Sequence, residues 1–184
     1  MKIKAFIIAF MIFIPCLAYA HPESGFLPDA IAEMEYKIVL DINPKDIETR
    51  NKLGVVLYRK NKLNEAEKEF SKVLEISPKD FDAHDGMGLV RMKQKKYEEA
   101  ITWFKKAIEI SDEDTMVHYH LGCAYEQMGN FVNAEKSYNK ALEVNNLLIQ
   151  KGINKELEMG KKSTVISALH VLQEKTGSAN VREQ

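Results

Sequence analysis

Residues 81–114 read FDAHDGMGLVRMKQKKYEEAITWFKKAIEISDED, and key positions of this stretch recur at intervals of 34 residues on either side. Gly88 has counterparts in Gly54 and Gly122, and Ala100 in Ala32, Ala66 and Ala134. Phe104 has counterparts in Tyr36, Phe70 and Tyr138, and Ile110 in Ile42, Ile76 and Val144. A fixed period of this length predicts stacked units, none of which buries its apolar face alone. Packed helices normally sit about 8–10 Å apart. Glycine on one helix facing alanine on the next would allow the close end of that range. The aromatic lies four residues after the alanine, hence on the same helix face, where it can fill the gap toward the neighbouring unit.

Units starting at Ile47, Phe81 and Thr115 place Leu53-Gly54, Met87-Gly88 and Leu121-Gly122 in the first helix of each pair. The second helix then carries Ala66, Phe70 and Val73, then Ala100, Phe104 and Ala107, then Ala134, Tyr138 and Ala141. This pattern resembles the tetratricopeptide repeat (TPR) family, with its Leu-Gly step and its Ala-Phe-Ala positions. Pro78 ends the first unit where that family favours proline, while Asp112 and Asn146 stand there in the next two. The signature tryptophan is replaced by Arg50, His84 and His118. The resemblance implies an all-α fold, a right-handed superhelical stack of antiparallel helix pairs. It also implies a non-enzymatic scaffold that binds a protein or peptide on its concave face.

In TPR domains that face is lined by set positions of each first helix. Carried over, they give Asn51, Val55, Tyr58 and Arg59 in the first unit, Asp85, Leu89, Met92 and Lys93 in the second, and Tyr119, Cys123 and Glu126 in the third. The middle of this surface is apolar and aromatic. Glu48, Asp82 and Asp85 make the helix starts acidic, and Arg59, Lys93, Lys95 and Lys96 lie toward the helix ends. Such a groove would hold an extended or helical peptide in apolar pockets, with charge setting its direction. The N-terminal half-unit and the C-terminal helices are the competing occupants of the same groove.

Outward from the repeats, residues 1–20 read as a secretory signal peptide. Lys2 and Lys4 precede an apolar run, and Ala18-Tyr19-Ala20 forms a small-x-small cleavage site. The run is shorter than the ~20 residues that span a bilayer, so no stable membrane span is expected after cleavage. The protein is expected to be exported, to the periplasm, cell envelope or medium. Residues 21–46 form a short lead and a half-repeat helix that carries only the second-helix columns, with Asp29 as its expected N-cap. Full units follow at 47–80, 81–114 and 115–148. Residues 149–177 are expected to form capping helices broken near Gly160, with a helix running on from the third unit as the alternative because no proline follows Val144, and 178–184 a fraying tail.

Composition narrows the chemistry further. Of 184 residues, 45% are hydrophobic and 29% charged, enough for a core and a solvated helical surface. Lys and Arg total 26 against 27 Asp and Glu, so the chain lacks the basic excess that nucleic-acid binding exploits. After signal cleavage Cys123 is the sole cysteine, which leaves stability to helix packing. No zinc-type spacing, phosphate-binding glycine loop or haem-attachment motif is present, and no cofactor or metal is expected. Self-assembly through the exposed ends of the stack is the alternative to adaptor function.

Overall fold

The computed structural model describes residues 28–182, with side chains through Gly177. The signal-peptide reading of 1–20 and most of the lead lie outside the described residues. The described residues form eight helices in order: α1 (Asp29–Ile42), α2 (Ile47–Arg59), α3 (Leu63–Ile76), α4 (Phe81–Lys93), α5 (Tyr97–Ile110), α6 (Thr115–Gln127), α7 (Phe131–Gln150) and α8 (Lys155–Arg182). Consecutive helices pack on one another, and the first helices also touch across units, α2 with α4, α4 with α6 and α6 with α8.

The helix starts follow from a column of aspartates at the same period. Asp46, Asp80 and Asp114 each accept a hydrogen bond from the backbone N–H three residues on, at Thr49, Ala83 and Val117. These caps satisfy amides that have no partner inside the helix. Within each unit the helix-to-helix turn uses one left-handed residue, Asn61, Lys95 or Gly129, with φ of 60°, 60° and 72°. The half-repeat starts differently from expectation. Pro28 occupies the N-cap of α1, and the Asp29 carboxylate instead accepts hydrogen bonds from Arg59 on α2.

Inside the stack, glycine faces the aromatic column and not the alanine column. A Cβ on Gly54 would lie 2.6 Å from the Phe70 ring, and one on Gly122 would lie 2.5 Å from Tyr138. The Phe70 ring also crowds Gly86 of the next unit. Phe70, Phe104 and Tyr138 are buried, as are Ala66, Ala100 and Ala134. Alanine supplies close packing, but the glycines exist to admit a ring. At the tryptophan positions, buried polar groups bind turn carbonyls: His84 Nδ1 donates to Asp80 O at 2.8 Å, and His118 Nε2 to Asp112 O at 3.0 Å. Arg50 reaches Glu69 and the Pro44 carbonyl.

A polar cluster holds each end of the stack, one around Glu33 on α1 and one around Glu158 on α8. Glu33 on α1 is buried and receives Lys37, Lys60 and Lys62 at 2.6, 2.6 and 2.9 Å. Those hydrogen bonds pull its pKa to about 2 against the opposing effect of burial. A carboxyl with a depressed folded-state pKa contributes stability that is present above its unfolded pKa and lost as pH falls through the folded value. The attachment of α1 should therefore weaken between pH ~4.5 and ~2, values that follow the ordinary and depressed pKa. Acid titration followed by hydrogen exchange of α1 amides checks this, and a Glu33→Gln chain should have lost most of the dependence.

The C-terminal region departs from the expected pair of helices broken at Gly160. α7 continues to Gln150 because no proline stops it after Val144. The break falls at Lys151–Asn154, where Gly152 and Asn154 have φ of 71° and 44°. α8 runs through Gly160, where a Cβ would meet open space, and its backbone stays helical through Ser178 to Arg182. It packs on α7 and beside α6, as each earlier first helix does on the pair before it. α8 thus stands where the first helix of a fourth unit would stand.

Candidate partner-binding groove

The open concave surface lies at the N-terminal half of the stack. A groove of about 790 Å³ runs between α1, α2 and α4. Its apolar floor comes from Ala32 and Tyr36 of α1, Val55 and Val56 of α2, and Gly86 and Leu89 of α4. Asn51, Arg59 and Asp85 line it as the sequence suggests, as do the acidic helix starts Glu48 and Asp82, and Lys52 joins them. In the sequence Tyr36 and Ala32 stand out only as members of the repeat columns. Among the described residues no helix precedes α1 to cover them, which leaves them facing the groove.

The charges of this groove are unevenly satisfied. Lys52 pairs with Glu48 at 2.6 Å and Arg59 with Asp29 at 2.5 Å. The Asn51 amide donates to Asp80 at 2.9 Å, which ties α2 to the cap of α4. Asp85 meets His120 of α6 at 3.0 Å. Asp82 has no hydrogen-bond or ion-pair partner among the described residues. Asp82 is solvent-exposed, yet partial desolvation by the neighbouring groove walls, followed by the like charges of Asp80, Asp85 and Asp114, raises its pKa. The groove therefore carries an uncompensated negative corner beside an apolar floor.

The remaining expected groove residues are otherwise engaged. Tyr58 packs on the first core cluster and lies under the Lys93 ammonium, 4.0 Å from the ring centroid. Lys93 also donates to the Tyr58 carbonyl at 2.9 Å. Met92 packs against the second cluster. Tyr119 and Cys123 pack against the cluster that contains Val165, Leu169 and Leu172 of α8. Glu126 accepts from the Tyr138 hydroxyl at 2.8 Å and pairs with Lys175 of α8. The third-unit positions are thus brought into contact with α8 and not into the open groove.

Acid–base properties agree with packing here. Burial, followed by contacts with Cys123 and Glu126, pushes the Tyr119 hydroxyl up to about 12. Burial also raises the Cys123 thiol, which holds it in the protonated, weakly nucleophilic form. Among the described residues no group of three or more His, Cys, Asp or Glu side chains is placed to hold a metal ion. No described helix is long and apolar enough to cross a membrane.

Family models described as tetratricopeptide repeats match residues 47–80, 88–129 and 116–146. The chain belongs to the tetratricopeptide repeat family. Its TPR fold is shared with solved structures at low identity. PcrH, solved with the chaperone-binding region of PopD, is 17% identical over 70% of this chain and 92% of its own, with a TM-score of 0.61. The Yersinia enterocolitica type III secretion chaperone SycD, solved with a peptide of the translocator YopD, is 21% identical over 70% and 93%, with a TM-score of 0.60. MamA is 22% identical over 80% of this chain and 88% of its own, with a TM-score of 0.56. No curated protein matches the sequence.

Proposed function

We propose that this TPR protein is a non-enzymatic adaptor that holds a segment of a partner protein in the groove between α1, α2 and α4. The observation that carries the reading is an open apolar floor of Tyr36, Val55 and Leu89 next to an acid, Asp82, with no cation of its own. A segment with apolar side chains and a lysine or arginine complements both features, the charge fixing its direction. That PcrH and SycD were solved with segments of other proteins supports a peptide as the occupant. The signal-like sequence at 1–20 supports work in the cell envelope, where assembly of an envelope complex is the proposed setting.

Pull-down from envelope extract tests the groove. Val55→Glu/Leu89→Glu places two charges on the floor at positions that are not fully buried, so helicity should persist. At least one protein captured by the wild type should fall about tenfold or more on the variant, the equivalent of ~1.4 kcal/mol. Identical recoveries from two equally helical proteins would reject the groove as the binding site.

A further inference from the structure

The repeat supplies an internal control for the outer surface of α1. Where α3, α5 and α7 carry Lys68, Thr102 and Lys136, α1 carries Met34, and where they carry Lys72, Lys106 and Lys140, it carries Ile38. Met34, Ile38 and Ile42 are 44%, 53% and 81% exposed and lie four residues apart, on one helix face. Three units with the same backbone keep the first two places polar, so packing within the chain does not call for an apolar residue there. At the other end of the stack, Leu147, Ile153 and Leu157 around the α7–α8 turn are 44%, 45% and 59% exposed.

The charges beside these two patches differ in balance. Among the described residues Glu35 and Asp41 on α1 have no ion-pair partner, against one unpaired cation, Lys45, past the end of the helix, whereas the turn carries Lys151, Lys155 and Lys162 against one exposed unpaired acid, Glu156. Lys151 reaches its nearest acid, Glu113, only at 3.9 Å, and Lys162 is bound to the neutral Asn146. Two α1 faces brought together would oppose acid to acid. An anionic lipid surface would meet the same acids, whereas interfacial helices present lysine and arginine.

We propose that the outer face of α1 docks on the α7–α8 turn of a second copy of this chain, head to tail. The contact is heterologous, so wild-type chains grow beyond dimers unless the rotation closes a ring. It uses the convex side of α1 and leaves the groove free, so it stands or falls separately from the adaptor reading.

The test expresses the whole chain, fixes the N terminus of the purified product by mass spectrometry, and measures association by sedimentation velocity across concentration. Met34→Lys/Ile38→Lys blocks the head with residues that other units carry at those places, so folding is retained. Ile153→Lys/Leu157→Lys blocks the tail at exposed positions. Wild type should form concentration-dependent multimers, while each variant alone should associate at least tenfold more weakly. An equimolar mixture of the two variants should give one-to-one dimers through the one intact head and the one intact tail. A wild type that stays monomeric, a tail variant that associates like wild type, or a mixture that gives no dimer would overturn the proposal.

Discussion

Phe70→Ala is expected to lower stability by about 3–5 kcal/mol, the usual range for deleting a buried phenylalanine ring. The residue lies at the upper end of that range because its ring serves two units at once. It is 1% exposed and sits against Gly54 of its own unit and Gly86 of the next. Neither glycine has a side chain that can move into the vacated space, so little of the cavity can collapse. Chemical denaturation of wild type and variant measures the effect, and unfolding of α2–α4 should separate from that of α6–α8. Stability in a stacked-repeat protein is carried by nearest-neighbour interfaces, and this substitution removes the centre of one. A loss below 1 kcal/mol would contradict the ring-on-glycine account of the 34-residue columns.

The second large effect is expected at Glu158, which joins α8 to the stack. This carboxylate is 3% exposed and accepts from Thr115 Oγ1, Asn145 Nδ2 and Lys161 Nζ, each at 2.7 Å. Burial opposes its ionisation, but the bonds from Lys161, Thr115 and Asn145 outweigh burial and lower its pKa. Removing one partner from a buried polar cluster leaves the others unsatisfied, and for a buried ion pair that costs about 3–5 kcal/mol. Lys161 lies on the same helix and can turn to water, so Glu158→Ala is expected to cost roughly 2–3 kcal/mol, below that range. Glu158→Gln, which keeps an acceptor for Thr115, should cost less. Amide exchange should accelerate across 155–177 and change little in α2–α4. Because the folded-state pKa is depressed, the contribution of Glu158 is present above its unfolded pKa and fades as pH falls through the folded value.

These two sites differ in how far the sequence announces them. The starts at Ile47, Phe81 and Thr115 coincide with the first residues of α2, α4 and α6, because the repeat and its aspartate caps act locally and in register. The partner of each glycine was misjudged, since a shared period shows that Gly54 and Phe70 are both constrained without showing which column faces which. Glu158 was missed altogether. It lies 43 residues from Thr115, beyond the last repeated column, and nothing in its neighbours separates it from an ordinary exposed glutamate. Gly160 misled because glycine weakens a helix by only about 1 kcal/mol, which packing of Val165, Leu169 and Leu172 readily offsets.

The candidate groove was legible in the same uneven way. Asn51, Val55, Arg59, Asp85 and Leu89 line it because their positions repeat a geometry set by the first helices. Tyr119, Cys123 and Glu126 obey the same geometry, yet α8 meets them first, and its placement is a tertiary fact that no column encodes. Tyr36 joins the groove for the opposite reason: among the described residues no helix precedes α1 to cover it.

Site-specific photo-crosslinking in living cells tests the partner-binding account most directly. A photoreactive amino acid is placed in turn at Leu89 in the open groove, at Cys123 beside α8, and at Val132 on the exposed surface of α7. The account predicts one or more discrete crosslinked partner bands from Leu89, and no such bands from Cys123 or Val132. Equal crosslinking from Val132, or none from Leu89 with the protein folded and abundant, would contradict it.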